Sequence, residues 1–278
     1  MDNSPSRALR DAIQSGTIQV PGAPNALLGR LIEQIGFHAT YLSGAAFSAG
    51  ELAIPDIGLF TLTELVDQAK RLCQSVSIPV IVDADTGFGE AVNVERTVAE
   101  LEQVGVAAIQ LEDQQLPKRC GHLSGKTLVS ADEMCHKIRV AVESKVDSDL
   151  VIIARTDARG VVDFDDALDR AKQYLDAGAD WIFPEALANE EEFARFSDEI
   201  DAPLVANMTE FGKSPLLLHD DLAEMGYAAV LYPVTLLRIV MRAAEASLAT
   251  IASDGTQREL LDLMQTREEL YELLDYDA

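Results

Sequence analysis

Short runs of apolar and β-branched residues recur along the chain at positions 17–20, 39–42, 79–82, 107–111, 150–154, 180–183, 204–206 and 228–231. Most are continuous rather than alternating, the pattern of parallel strands buried on both faces. Between them apolar positions fall at helical spacing, as in Leu62, Leu65, Val66, Ala69 and Leu72, then Val94, Val98, Leu101 and Val104. Thr61-x-x-Glu64 and Ser130-x-x-Glu133 read as capping boxes, and Gly105, Gly178 and Gly226 stand where helices should stop before the next strand. Eight strands alternating with helices predict an α/β fold, a (β/α)8 TIM-type barrel. A doubly wound open sheet is the alternative, but no Gly-x-Gly-x-x-Gly follows the first run. With no linker or repeat dividing it, the chain is expected to form a single barrel domain over 1–278, with 251–278 as a C-terminal helical extension.

Polar residues cluster where the strands should end. Those ends read Ser43-Gly44, Asp83-Ala84-Asp85, Glu112-Asp113, Arg155-Thr156-Asp157, Glu185, Asn207-Met208-Thr209 and Tyr232-Pro233. Helix N-caps also follow strands and favour Asp, Asn, Ser and Thr. Caps do not call for Arg155, nor for two acids spaced i, i+2. Barrel enzymes place their catalytic groups at these carboxyl ends. Asp83 and Asp85 are expected on one side of a strand, and with Glu112 on the neighbouring strand they would form an oxygen-rich pocket suited to Mg²⁺ or Mn²⁺. Salt bridges to Arg155 and Lys118 are the competing reading.

From Asp113 to Val129 no period is visible, a long connection of the kind that covers active sites. It carries Lys118-Arg119-Cys120-Gly121-His122. Positive charge around the thiol predicts a reactive cysteine that favours thiolate. Cys73 and Cys135 read as packed and inert, and His38, His136 and His219 as structural or surface residues. Arg155, Arg238 and Arg267 are candidates for gripping carboxylates, since a guanidinium binds them bidentately.

Charge narrows the function classes. The chain carries 47 acidic and 22 basic side chains, a net charge of −25, and no basic stripe for nucleic acid. An anionic membrane surface is equally disfavoured, and no apolar run is long enough to span a bilayer. The opening Met1-Asp2-Asn3-Ser4-Pro5 does not read as a secretory signal, and three scattered cysteines make no disulfide framework, so a cytoplasmic location is expected. Only seven Lys stand beside fifteen Arg, and the acidic runs resemble proteins of salt-loving cells, where molar salt screens self-repulsion.

Taken together, Tyr41-Leu42-Ser43-Gly44-Ala45, Asp83 to Gly89, Glu112-Asp113-Gln114, Lys118 to His122 and Ala154 to Ala158 resemble the isocitrate lyase and phosphoenolpyruvate mutase superfamily. The cysteine loop belongs to its carbon–carbon lyase branch, and further similarity runs through Phe183-Pro184-Glu185-Ala186, Asn207-Met208-Thr209, Leu231-Tyr232-Pro233 and Met264-Gln265-Thr266-Arg267. The resemblance implies cleavage of a tricarboxylate, 2-methylisocitrate, to pyruvate and succinate in the methylcitrate cycle of propionate catabolism, with isocitrate cleavage as the alternative. It implies that Ser43, Gly44 and Ala45 bind the pyruvate half, which also meets Mg²⁺ (Mn²⁺ as a substitute) held by Asp83 and Asp85, with Asp56 and Glu112 in support. Arg155 would hold the pyruvyl carboxylate. Cys120, Gly121, His122, Glu185, Asn207, Met208, Thr209, Arg238 and Arg267 would contact the rest of the substrate. Cys120 would be the acid, and Tyr41, a metal-bound water and a carboxylate all stand as candidates for the base. Phe183 and Leu231 stand where isocitrate lyases tend to carry Trp and Thr, which leaves room for a methyl group. The family implies a homotetramer with C-terminal helices swapped between subunits, and the chain stops at Ala278 where relatives continue, which bears on that swap.

Overall fold

A computed structural model of the chain describes residues 4–277. Met1, Asp2 and Asn3 of the N-terminal reading, and Ala278, lie outside the described residues. The eight strands stand where the apolar runs predict them: β1 (Ile18–Pro21), β2 (Thr40–Leu42), β3 (Val80–Asp83), β4 (Ala108–Glu112), β5 (Val151–Thr156), β6 (Trp181–Pro184), β7 (Val205–Asn207) and β8 (Ala229–Tyr232). All but β2 reach one or two residues past the end of the apolar run. Asp83, Glu112, Thr156 and Asn207 therefore belong to the strands themselves. A polar side chain at a barrel mouth does not prevent its backbone from pairing.

Every pairing is parallel. Strands β2 to β6 form one arc in sequence order and β1, β8 and β7 another. Single bridges, Gly22 to Tyr41 and Ile182 to Leu204, join the two arcs. The ring thus closes in the order of the chain, a TIM-type arrangement rather than an open sheet. Alternation explains why the runs are continuous. Tyr41, Ile81, Ile153, Phe183 and Leu231 fill an inner cluster, while Leu42, Val80, Val82, Ile152 and Ile182 pack outward against the helices.

The connections carry α1 (Pro5–Gln14), α2 (Ala26–Ile35), α3 (Gly44–Gly50), α4 (Leu62–Ser75), α5 (Ala91–Gln103), α6 (Ala131–Ser144), α7 (Ala158–Val161), α8 (Phe164–Asp176), α9 (Glu190–Glu199) and α10 (His219–Glu224). Thr61 and Glu64 make a reciprocal capping box on α4. Ser130 accepts the Glu133 N–H at 3.1 Å to start α6, but only that half of the expected box forms. Gly105, Gly178 and Gly226 end α5, α8 and α10 in the left-handed region, at φ 92°, 106° and 90°.

Beyond β8 the chain leaves the barrel. The helix α11 (Thr235–Asp254) has no buried residue over its twenty positions, and Ile239, Met241 and Leu248 are each at least 60% exposed. A 3-10 turn (Arg258–Leu263) follows, then α12 (Arg267–Leu273), which returns to α2. There Arg30 donates to the Leu273 carbonyl at 3.0 Å and to the Asp275 carboxylate at 2.9 Å. No helix among the described residues is long and apolar enough to cross a membrane.

Candidate active site

The carboxyl ends of the strands surround a cavity of about 90 Å³. Its lining combines polar residues, among them Asp83, Lys118, Cys120, Arg155, Glu185 and Asn207, with the apolar Phe183, Leu231 and Val234. A larger open groove runs along α11, but it holds none of these acids.

The acidic side is built on β3 and the turn after it. Asp83 ends the strand, and its carboxylate accepts the N–H groups of Gly44 at 3.1 Å and Asp85 at 3.2 Å and the Gln110 amide at 3.2 Å. Asp85 lies beyond the strand in a left-handed conformation, φ 47°, so strand alternation does not place it as the sequence predicts. The turn brings the two together nonetheless: a Cβ on Gly44 would sit 3.2 Å from an oxygen of each. Lys118 reaches Asp85 Oδ1 at 2.7 Å and also contacts Asp56, so the salt-bridge reading of these acids is realised in part. Burial pushes the Asp85 carboxyl up to about 7, with Lys118 opposing. Burial likewise pushes Glu112 well up, against Arg155 and Lys118.

Among the described residues no three His, Cys, Asp or Glu side chains gather tightly enough to enclose an ion by themselves. Mg²⁺ does not require that, since it keeps several waters and takes one or two carboxylates. The donor set fits such an ion. It consists of hard oxygens, and both Glu112 oxygens are buried without a hydrogen-bond partner.

Arg155, on β5 beside Glu112 of β4, is the hub of the opposite side. It donates to both oxygens of Asp157, at 3.0 and 3.1 Å, and lies 3.2 Å from Glu185 and 3.4 Å from Glu112. Its guanidinium lies 5.4 Å from the centre of the Phe183 ring. Burial acts to raise the Glu185 carboxyl, but Arg155 and His122 outweigh it and hold the group well below the usual carboxylate range. Gly121 fits against this pair because it has no side chain: a Cβ would lie 2.3 Å from Arg155 and 2.6 Å from Glu185.

The connection from Asp113 to Val129 leaves and rejoins the barrel as a stalk. Gln115 N–H donates to Thr127 O at 2.8 Å and Val129 N–H to Asp113 O at 2.9 Å. Gln114 pins the turn by exchanging two bonds with the Arg119 backbone, both 2.8 Å. The expected thiolate is not what this geometry favours. Lys118 is spent on Asp85 and Asp56, and burial pushes the Cys120 thiol up, outweighing the His122 N–H and Arg155. Burial therefore favours the thiol form of Cys120. Tyr41 also keeps its proton. Burial pushes its phenol well up, with Asp83 adding to the shift, and its O–H donates to Gln110 at 2.8 Å.

Most of the predicted site residues come together. Tyr41, Ser43, Ala45, Asp56, Asp83, Cys120, Gly121, His122, Arg155, Glu185, Asn207, Thr209 and Arg238 line the cavity. Gly44, Asp85 and Glu112 adjoin it through Asp83, Lys118 and Arg155. Ser43 also caps α3, as a serine after a strand commonly does. Met208 is buried in the outer core instead, its sulfur accepting the Leu217 N–H. Arg267 opens α12, outside the lining. Sequence reasoning did not single out Gln110 and Lys126, and it read Asp157 only as one of the polar strand ends. Lys126 is fully buried, 2.6 Å from Asp157, and bonded to the Gly121 carbonyl. Its place in the cysteine loop, next to Gly125, was the available signal.

An acid cluster, a guanidinium hub and a thiol-bearing loop on a parallel barrel rim define an enzyme for small carboxylated substrates. The chain belongs to the phosphoenolpyruvate phosphomutase family, whose sequence pattern matches residues 9–252. It is 52% identical over 273 residues to the 2-methylisocitrate lyase of Aeropyrum pernix, covering 98% of this chain and 88% of the relative. It is 44% identical over 276 residues to the 2-methylisocitrate lyase of Salmonella typhimurium, covering 99% and 94%. Its fold is similar to that of a 2,3-dimethylmalate lyase, with TM-score 0.92, 34% identity and coverage of 98% and 92%. A phosphonopyruvate hydrolase solved with oxalate and Mg²⁺ matches at TM-score 0.88 and 32% identity, covering 98% and 95%. The chain is an enzyme of this family, and its relatives place it among the lyases.

Proposed function

We propose that this enzyme cleaves 2-methylisocitrate to pyruvate and succinate. The observation that carries the reading is that Cys120, Arg155 and Glu185 line one cavity together with the apolar Phe183 and Leu231, with Arg155 3.2 Å from Glu185. Arg155 binds the carboxylate next to the hydroxyl carbon, with its charge already oriented by Asp157. As the carbon–carbon bond breaks, the hydroxyl carbon becomes the pyruvate carbonyl and the bond's electron pair passes to the succinate half. Cys120 donates its proton to that carbon. Tyr41, a neutral phenol whose proton is directed at Gln110, orients rather than deprotonates, so the hydroxyl proton passes to a carboxylate of the site, directly or through a bound water. Asp83 and Asp85, supported by Glu112 and Asp56, would hold Mg²⁺, with Mn²⁺ as a substitute. Bound there, the ion would supply Lewis-acid stabilisation of the oxygen that becomes the pyruvate carbonyl.

The same reading places the enzyme in the methylcitrate cycle of propionate catabolism, in the cytoplasm, as a homotetramer. The exposed apolar residues of α11 support an assembly in which C-terminal helices are exchanged. The charge of −25 supports adaptation to high salt. The deciding experiment is steady-state cleavage of methylisocitrate and isocitrate in parallel, with pyruvate and glyoxylate quantified. Pyruvate formation with the higher kcat/KM is expected, and a higher value for isocitrate would replace this reading with isocitrate lyase.

A further inference from the structure

Two segments of the rim, 118–122 after β4 and 209–213 after β7, meet at a single imidazole. His122 Nδ1 accepts the backbone N–H of Lys213 at 2.9 Å. That nitrogen carries no proton, so the ring is the Nε2–H tautomer. Nε2 then points inward, 2.8 Å from Glu185 Oε1 and 3.4 Å from Asn207 Nδ2. One ring ties the outer segment to the floor of the site, two residues from Cys120.

Gly212 makes the approach fit. A Cβ there would lie 2.6 Å from His122 Nδ1 and 2.9 Å from Cε1, closer than side chains pack. Its φ lies outside the left-handed region, so the backbone alone would accept another residue. The requirement for glycine comes from the imidazole. Phe211 before it is left-handed at φ 59°, with the Arg238 guanidinium 5.4 Å from its ring centre, and this shapes the turn that presents the Lys213 N–H.

We propose that Gly212 is a positioning residue for the cleavage: by letting Lys213 N–H reach His122, it locks segment 118–122 over the cavity and fixes where the Cys120 proton is delivered. The proposal rests on the lyase reading for the role of Cys120. It is independent of any contact between Gly212 and substrate.

Two variants break the latch by different routes. Gly212→Ala pushes the ring away, and Lys213→Pro deletes the donor, while Lys213→Ala keeps the N–H and serves as the control. Each is compared with the unaltered protein by steady-state cleavage of 2-methylisocitrate and by the rate of Cys120 alkylation with iodoacetamide, with and without pyruvate plus succinate. In Gly212→Ala, kcat should fall on the order of 10²-fold, the scale of a misplacement of about 1 Å, with KM moving far less. Protection of Cys120 by the products should be lost in both latch variants and kept in Lys213→Ala. A purely structural role would lower the melting temperature and leave kcat per folded molecule and product protection unchanged. That result, or wild-type kcat and protection in Gly212→Ala, overturns the proposal. If the unaltered protein does not cleave 2-methylisocitrate, the functional reading fails by itself, and the alkylation comparison still reports on the latch.

Discussion

Replacing Arg155 with Met removes the charge that Asp157, Glu185 and Glu112 share at 3.0, 3.2 and 3.4 Å, while keeping an apolar stem beside Phe183. The three acids do not suffer equally. Asp157 keeps Lys126 at 2.6 Å and Glu185 keeps His122 at 2.8 Å, but Glu112, already without a hydrogen bond, loses its ion-pair partner and keeps only the longer-range attraction of Lys118. Breaking a buried pair costs about 3–5 kcal/mol, against a total stability of about 5–15 kcal/mol for a native domain. Arg155→Met should therefore fold, but with a much lower urea midpoint, and it should lose cleavage. The pH dependence carries a sign. In the unaltered protein Glu185 lies below its ordinary value despite burial, because Arg155 and His122 outweigh that burial. It contributes stability above the unfolded value, near pH 4.3, that is lost only as pH falls through the folded one. Without Arg155, burial has less opposition and Glu185 shifts upward, so its folded form takes up a proton the unfolded chain does not. The stability gap between the two proteins should be widest near neutral pH. It should narrow by about 1.4 kcal/mol per pH unit for each carboxylate that newly takes up a proton. Urea titrations followed by circular dichroism between about pH 8 and pH 5 measure that gap, since the midpoint shift at constant slope reads stability. A gap that stays constant over the range, or a variant as stable as its parent, would refute the assignment of Arg155 as counter-charge to these acids.

Cys120→Ser should fold normally and lose about 10²–10⁴-fold in turnover, the usual contribution of general acid catalysis; near-native turnover would put the proton donor elsewhere. EDTA should abolish activity and Mg²⁺ or Mn²⁺ restore it, and full activity after verified metal removal contradicts the role given to Asp83 and Asp85. One methyl in an apolar pocket is worth about 10–200-fold, so methylisocitrate should be preferred over isocitrate within that range. Phe183→Trp combined with Leu231→Thr should narrow or reverse the preference as measured by kcat/KM, and an unchanged ratio would show that these side chains do not face the methyl group. If the charge of −25 is a salt adaptation, the melting temperature should rise from dilute buffer towards molar KCl as repulsion is screened; no rise favours an ordinary acidic enzyme.

The barrel was legible because burial on both faces writes each strand as a continuous apolar run, and the eight runs fall within a residue or two of the eight strands. Asp83, Glu112, Arg155 and Asn207 were legible as site residues because charge at the end of such a run has few structural reasons to be there. Their protonation was not. Sequence proximity put Lys118 and Arg119 around Cys120, whereas in the fold Lys118 turns to Asp56 and Asp85 and the thiol keeps its proton. Met208 fails for a related reason. Its neighbours Asn207 and Thr209 line the cavity, and a residue between two that face inward is turned outward, into the core. Lys126 and Gly212 escaped because their reasons lie in partners 31 and 90 positions distant, Asp157 and the imidazole of His122, and such separations leave no local pattern.

The helix α11 has no fully buried residue, and only Leu236 in its first turn packs partly against the core, so it lacks most of the tertiary packing that stabilises helices. Its amides should accordingly exchange with solvent far sooner than those of the strands, unless a surface outside this chain covers them. Arg238, the cationic residue of the lining that this helix supplies, hangs from that least anchored element, while Arg155 is fixed by the ring of strands. The two guanidiniums thus answer to different authorities. One is set once the barrel folds, and the other is set only as firmly as whatever steadies the helix, so substrate grip can change with the company the molecule keeps while its catalytic floor stays the same.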